Sequence, residues 1–256
     1  MHRLDRPAAP EAFPEVVKDL LSAYPPASHC TENERWEAFR NDHQDVFLDL
    51  RTALEQNQDG TCAYCEIKLG DTNRQIEHFI PKRFTTADND LTFDFSNMLL
   101  CCVGGTNPHS RVPGAFSNTP SARANHSCGE KKGDKDPFGR CLNPYCLPSF
   151  PLFRLVLNDN GISFASDKKA CQRASIDPDR VQRTLDFLNL NCPRLNKRRG
   201  AVWEILEQEV ADAKNLLPDE QSAELASIAK AHLQDNPAFY TTKLLCLADT
   251  MPHIIP

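Results

Sequence analysis

Apolar residues recur at helical spacing near the start of the chain. Phe13, Val16, Val17, Leu20 and Leu21 form one stripe, and Tyr24-Pro25-Pro26 stops it. A second stripe of Trp36, Phe39, Val46, Phe47, Leu50 and Leu54 predicts a helix from about Glu34 to Gln56. Both read as core-packing helices with no chemistry of their own. Asp59-Gly60 signals a turn, and helical periodicity then fades over 61–140, where Cys, His, Gly and Asn accumulate. Inside that stretch, 103–127 reads as a long loop punctuated by Gly104-Gly105, Pro108, Pro113-Gly114 and Pro120. Loops of that length are usually functional or disordered. Regularity resumes after Pro148. Phe153, Leu155 and Leu157 alternate, Asn158-Asp159-Asn160-Gly161 turns, and Ile162 and Phe164 alternate, which is a hairpin. Ser175-Ile176-Asp177-Pro178 leads into a helix carrying Val181, Leu185, Phe187 and Leu188. A long helix follows from Leu195 to about Leu217, Pro218 breaks it, and another spans about 221–234. The pattern predicts an α+β protein, mainly α, in three segments: helical 1–57, a cysteine-rich module over 58–140, and a hairpin plus helices over 141–256.

Composition narrows this little. The chain has 256 residues, 40% apolar and 25% charged, which suits one globular domain or two small ones. No run of 18 apolar residues exists to span a membrane, and Met1 to Pro7 lacks a signal peptide's apolar stretch. The expectation is a soluble, cytoplasmic protein. Charge changes the picture more. The net charge is −6, so any nucleic-acid site must be a local basic patch. Residues 1–57 carry 11 acidic against 6 basic side chains, and 201–256 carry 9 against 3. Between these acidic flanks, 101–140 holds Arg111, Arg123, Lys131, Lys132, Lys135 and Arg140 against three acids. Residues 180–199 hold Arg180, Arg183, Arg194, Lys197, Arg198 and Arg199 against Asp186 alone. Lys82, Arg83, Lys131, Lys132, Arg198 and Arg199 are the expected phosphate contacts, with plain solvated helix faces as the alternative.

Eleven cysteines, an odd number without a secretion signal, argue against a disulfide framework. Cys30, Cys171, Cys192 and Cys246 stand apart and read as small buried hydrophobes. Cys62-Ala63-Tyr64-Cys65 is a C-x2-C knuckle that supplies half a zinc site, and Cys101, Cys102 and Cys128 offer the other half. A redox use of Cys62 and Cys65 would need a βαβ frame, which the pattern does not predict. Cys141 and Cys146, with His109 or His126, are candidates for a second metal. Between the halves of the clamp, Glu77-His78 places a carboxylate that can hold a hard cation beside an imidazole that can take a proton from water. Asn97 stands before an apolar run, where it can turn or cap the chain. Cys128-Gly129-Glu130-Lys131-Lys132-Gly133-Asp134 reads as a short helix with a basic face.

Together these residues resemble the HNH (ββα-metal) endonucleases, whose pattern is C-x2-C, Asp/Glu-His-x-x-Pro, Asn-Leu-x-x-x-Cys and Cys-Asn/His-x-x-Lys. The matching stretches here are Cys62/Cys65, Glu77-His78-Phe79-Ile80-Pro81, Asn97 to Cys102, and Cys128 to Lys132. Trp36, Phe39, Leu50-Arg51 and Leu54 upstream, and Leu188-Asn189-Leu190-Asn191 downstream, are similar to the PtuB-like subgroup of Septu and retron-associated anti-phage systems. The resemblance covers roughly 30–215. It implies a zinc-stapled ββα module embedded between helices, with structural Zn2+ on Cys62, Cys65, Cys102 and Cys128. It implies catalysis by His78 as general base, with Glu77 on a Mg2+ or Mn2+ ion and Asn97 holding the His78 loop. The substrate would be DNA, or RNA, and the partner a PtuA-like SMC/ABC-type ATPase, with a retron in some systems. That partner would supply ATP hydrolysis, because this chain has no G-x4-G-K-[ST] sequence. One position departs from the pattern: Gly129 stands where the family has a ligating His or Asn. Either Asp134, Glu130 or His126 substitutes, or the ion has fewer protein ligands, which Mg2+ tolerates because it commonly keeps several waters. The alternative that this departure favours is a catalytically inactive zinc module binding nucleic acid or a protein.

Overall fold

The computed structural model describes residues 1–26, 30–105 and 123–251. Among the described residues the architecture is mainly helical α+β, with two small antiparallel sheets of two strands each. No helix among the described residues is long and apolar enough to cross a membrane.

Helix α1 (Phe13–Ala23) has proline in its first turn and stops at Tyr24, as the stripe predicts. The long second helix is instead two, α2 (Glu32–Asp42) and α3 (Gln44–Asn57). Thr31 and Glu34 close a capping box at the start of α2. The chain leaves helical geometry at His43 (φ −131°, ψ 54°). The polar run from Arg40 to Asp45 offers no apolar residue to hold a continuing helix face on the core. The bend lets Trp36 and Phe39 meet Phe47, at ring separations of 6.1 and 6.0 Å.

Strand β1 (Arg74–His78) pairs antiparallel with β2 (Met98–Cys102), setting His78 opposite Met98 and Glu77 opposite Leu99. β2 is buried throughout. Its free edge is completed by Gln58, whose amide donates to the Leu100 carbonyl (2.7 Å) and accepts from the Leu100 N–H (2.8 Å). The short helix α4 (Cys128–Lys132) packs on β2. Next come β3 (Phe153–Asn158) and β4 (Gly161–Ser166), the predicted hairpin turning at Asp159-Asn160. The helices α5 (Lys168–Arg173), α6 (Pro178–Phe187), α7 (Pro193–Lys214), α8 (Pro218–Leu233) and α9 (Tyr240–Thr250) follow. Pattern reading misses α5, which is too short for a stripe, and α9, whose first turn carries two β-branched threonines. Residues 106–122 of the expected loop, with His109 and Arg111, lie outside the described residues.

One core runs through all three segments, from Phe13, Phe39 and Leu50 through Tyr64 and Leu100 to Phe153, Leu185 and Leu195. A smaller cluster of Leu206, Val210, Ile228 and Leu247 holds the ends of α7, α8 and α9 together. Glu66 ties α9 to the cysteine knuckle by accepting from the Thr241 N–H (2.9 Å) and hydroxyl. The site is thus built on elements that share one packed interior, not on free loops.

Candidate active site and metal centre

The sulfurs of Cys62, Cys65, Cys102 and Cys128 all lie within 4.8 Å of one another and are buried. Three local structures bring them there. The Cys62–Cys65 knuckle is hydrogen-bonded to β2 through Ala63 N–H to the Leu100 carbonyl (3.1 Å). Cys102 ends β2. Cys128 opens α4 at φ +59°, with its N–H on the Leu188 carbonyl (2.8 Å). The Leu188–Leu190 stretch therefore serves the clamp directly. Asn189 donates to the carbonyls of Ala124 (2.9 Å) and His126 (2.8 Å), and Arg194 to the Ser127 hydroxyl (2.7 Å).

The cluster fits a tetrahedral ion. Four sulfurs about 2.3 Å from a central Zn2+ would stand about 3.8 Å apart, and Cys65 and Cys102 are 3.7 Å apart. Burial pushes the thiols of Cys65 and Cys128 well up. At Cys62, burial acts the same way, but hydrogen bonds from Cys101, Cys102, Cys128 and Cys65 outweigh it and hold the thiol well down. Four buried sulfurs packed this closely are a set that can hold a metal such as zinc, which binds them as thiolates. The thioredoxin-type frame that a redox reading needs is not present among the described residues, since the adjoining strands form an antiparallel pair.

His78 sits at the end of β1 and is 7% exposed. Its Nε2 donates to the Thr92 carbonyl at 2.9 Å in the tautomer that makes this bond. That leaves Nδ1 as the basic lone pair. Burial pulls the imidazole down to about 3, against the pull of the Thr92 carbonyl and with the help of Lys82 and Lys132. The ring meets Trp36 edge-on at 4.8 Å. The Thr92 carbonyl is itself held in place. Asp90 accepts the Thr92 N–H (2.8 Å), Glu32 accepts its hydroxyl, and the buried Arg35 pairs with both acids. Helix α2, expected to be filler, thus orients the base through Trp36, Glu32 and Arg35. Asn97 pins the segment beyond His78 by accepting from Ile80 N–H (2.8 Å) and donating to the Ile80 (2.9 Å) and Leu91 (3.2 Å) carbonyls.

Glu77 is mostly buried, and burial raises its carboxyl above the usual range against the opposing pull of Lys132. The Lys132 ammonium is 2.9 Å from Glu77 Oε1 and donates to the carbonyls of His78 (3.1 Å) and Gly133 (3.1 Å). Gly129 faces the other carboxylate oxygen so closely that a Cβ there would stand 2.5 Å from Glu77 Oε2. A divalent ion at Glu77 therefore finds one carboxylate, already paired, and no donor from position 129. Asp134 is exposed and acts on Glu77 only as a nearby charge. Glu130 is exposed and His126 half-buried. The cysteine cluster is the one converging group of three or more His, Cys, Asp or Glu ligands among the described residues. Of these donors only Glu77 is placed to hold a Mg2+ or Mn2+ ion, whose other ligands would be water or substrate phosphate.

The contact at Gly129 has a measurable consequence. Gly129→Ala is expected to destabilise the fold by about 1–3 kcal/mol through overpacking against Glu77. Glu77→Asp in the same chain shortens the carboxylate and should recover at least about 0.5 kcal/mol of that loss. Thermal melts of the two single variants and the double variant measure this coupling.

The expected phosphate contacts divide. Lys82 lies over the Trp36 ring (5.3 Å), beside His78, and burial lowers its ammonium from the usual value. Arg83 and Arg198 are exposed and Lys131 is half-buried. Lys132 and Arg199 are corrected. Lys132 is 2% exposed, with three fixed partners, so it holds Glu77 and does not face a passing strand. Arg199 is 1% exposed, stacked over Phe164 at 4.2 Å and donating to the Leu190 carbonyl (2.5 Å) and Asn196 (3.1 Å). It braces α7 on the hairpin. Its sequence signal is its place four residues after Leu195 and seven before Leu206, on the apolar stripe. The second metal at Cys141 and Cys146 does not form among the described residues, where Cys141 is buried and Cys146 exposed. Tyr64, Gln58 and Thr92 also shape the site. Thr92 acts through its backbone carbonyl, and a backbone carbonyl leaves no signature in sequence.

Comparison with known proteins finds relatives of this chain. The chain is 32% identical to the candidate HNH endonuclease of retron Ec83 from Escherichia coli, over 65% of this chain and 69% of that one. It is 30% identical to the candidate HNH endonuclease of retron Vc95 from Vibrio cholerae serotype O1 biovar El Tor, over the same shares. No protein-family model and no solved structure matches it.

Proposed function

This chain belongs to the HNH endonuclease family, and we propose that it is itself a nuclease that hydrolyses phosphodiester bonds of DNA or RNA with His78 as the base. In this reading β1, β2 and α4 are the family's ββα module within 58–140, stapled by Zn2+ on Cys62, Cys65, Cys102 and Cys128. The single observation that carries it is the imidazole whose Nε2 is committed to the Thr92 carbonyl (2.9 Å). A ring so fixed is neutral near pH 7 and offers Nδ1 in a set direction. The water at Nδ1 loses a proton to His78 as its oxygen bonds to phosphorus. The opposite P–O ester bond breaks, and the leaving oxygen takes a proton from solvent. Lys82 is the positive charge placed beside the ring to meet the phosphate. Asn97 and the Arg35–Asp90–Thr92 chain keep the base still. The finer assignment is to the PtuB-like subgroup, acting in anti-phage defence with a PtuA-like ATPase docked on the acidic flanks of 1–57 and 201–256. The retron names of the two relatives support that context.

A second reading has its own support. Lys132 on Glu77 and the bare Gly129 favour a zinc-held module that binds nucleic acid without cutting it. One experiment separates the two. The zinc-loaded protein is incubated with plasmid, single-stranded DNA and tRNA, without added metal and with Mg2+ or Mn2+, with and without the ATPase. Cleavage by the wild type that His78→Ala abolishes supports the nuclease, and the substrate cut decides DNA against RNA. The dependence on Mg2+ or Mn2+ tests whether substrate phosphate completes the shell of an ion on Glu77. Binding without cleavage under every condition moves the assignment to the second reading.

A further inference from the structure

We propose that the aromatic cleft beside His78 seats an unstacked nucleobase of the strand being cut, which makes single-stranded or looped-out nucleic acid the preferred substrate. This rests on the nuclease reading and goes beyond it, because neither base chemistry nor family membership says whether the substrate is paired.

The cleft has a volume of about 530 Å3, within the usual range for small-ligand sites. Its walls come from both sides of the His78 hydrogen bond. Phe79 and Ile80 follow the base directly in sequence, and Leu91 precedes Thr92, whose carbonyl holds the ring. Asn97 ties Ile80 to Leu91, so the cleft and the base are one rigid unit. Pro137 and Phe138 also line the cleft. The cleft thus adjoins the end of β1 that carries His78.

The lining is the wrong kind for water and the right kind for a base. Phe138 is 88% exposed, and Phe84 and Ile80 are 37% and 38% exposed. The other large exposed apolar residues, such as Leu48, Leu157 and Ile205, line no part of this cleft. Exposed aromatics gathered in one concave place mark a binding site. The Phe138 ring is carried on a turn fixed by the Phe138 N–H to Asp136 (2.9 Å). Arginines border the rings, with the Asp136 carboxylate also on the lining. The Arg83 guanidinium lies over Phe84 at 4.7 Å, Arg180 lines the cleft, and Arg140 is exposed two residues after Phe138. Asn89 and Asn143 place amides at the edge, where a base carries donors and acceptors. Stacking surfaces bordered by arginine are how proteins hold single strands without reading their sequence. A base inside a duplex has no free face to offer this cleft.

The test uses short single-stranded DNA and RNA carrying 2-aminopurine, and the same DNA annealed to its complement, with His78→Ala protein that cannot cleave. The fluorescence of 2-aminopurine reports stacking. The expected result is quenching on binding of single strands, lost in Phe138→Ala and retained in Phe138→Trp. Phe138→Ala should weaken single-strand binding about ten-fold and leave duplex binding unchanged. The side chain is exposed, so the variant keeps its fold, and a thermal melt checks that. Equal affinity of wild type and Phe138→Ala for single strands overturns the proposal, as does tighter binding of duplex than of single strand. The DNA and RNA arms show which strand the cleft accepts. The wild type's own cleavage assay stands apart: a protein that quenches but never cuts keeps the base seat and loses the nuclease reading, and one that cuts without quenching does the reverse.

Discussion

Replacing His78 with alanine is expected to lower phosphodiester cleavage by about 100- to 10,000-fold, the usual contribution of a positioned general base. The fold should survive, since the ring's partners are the Thr92 carbonyl and the edge of Trp36. Leaving that carbonyl unpaired costs about 1–3 kcal/mol. Added imidazole restoring part of the rate would identify the missing group as a base and not a strut. The pH profile carries a second signature. Burial holds His78 at about 3, against an ordinary value of 6.5. The ring is then neutral through the whole range where the enzyme is assayed, and kcat/KM should show no inflection near pH 6.5 from this residue. Stability runs the other way. Below pH 6.5 the unfolded chain takes up the proton and the folded chain does not, so His78's contribution is full above pH 6.5 and drains away as pH falls toward 3. Thermal melts between pH 7 and pH 4 should fall more steeply for the wild type than for His78→Ala. An inflection of kcat/KM at pH 6.5, removed by mutation of no other residue, would mean that the working form exposes the ring.

What the sequence discloses and what it hides follow from the range of each interaction. The C-x2-C knuckle, the Glu-His pair and the positions of Cys102 and Cys128 are legible because ligand chemistry restricts residue type and spacing together. The helices and the β3–β4 hairpin are legible where burial is periodic. Contacts between distant segments are not. Trp36 is readable as a core residue, but its place at the edge of His78, forty-two positions later in the chain, is set by how α2 packs. Thr92 enters through its carbonyl, which every residue has. Counting charge puts Lys132 and Arg199 on the surface, because a count does not see direction. One helical step separates exposed Arg198 from buried Arg199. Gly129 is the reverse case. In sequence it is a missing ligand, and in the fold it is the space that the longer Glu77 carboxylate fills.

Removing the metal from the cysteine cluster is expected to be the most damaging single change to the fold. The four sulfurs join three segments: the knuckle after α3, the end of β2 and the start of α4. Zinc binding to a folded four-ligand site is worth about 10–16 kcal/mol in small zinc modules. The net stability of a domain is about 5–15 kcal/mol. The metal term is thus of the same size as a whole domain's net stability. Cys128→Ser removes a ligand, frees α4 and releases the metal, and a loss of about 10 kcal/mol at about 2–4 °C per kcal/mol should lower the Tm by about 20–40 °C. Strong chelators should produce the same loss in the wild type and none further in the variant. Elemental analysis should give one zinc per chain in the wild type and none in Cys128→Ser. Cys101 is the internal control. It is buried and adjacent in sequence to Cys102, but it stands outside the four, its thiol pushed up by burial and turned to Cys62 as a hydrogen-bond donor. Cys101→Ala should keep the metal. A zinc count that follows Cys101 and ignores Cys102 would break the ligand assignment. Thiols at 62 and 65 that react freely without chelator would replace the metal with redox chemistry, and the fold would then have to stand on its apolar core alone.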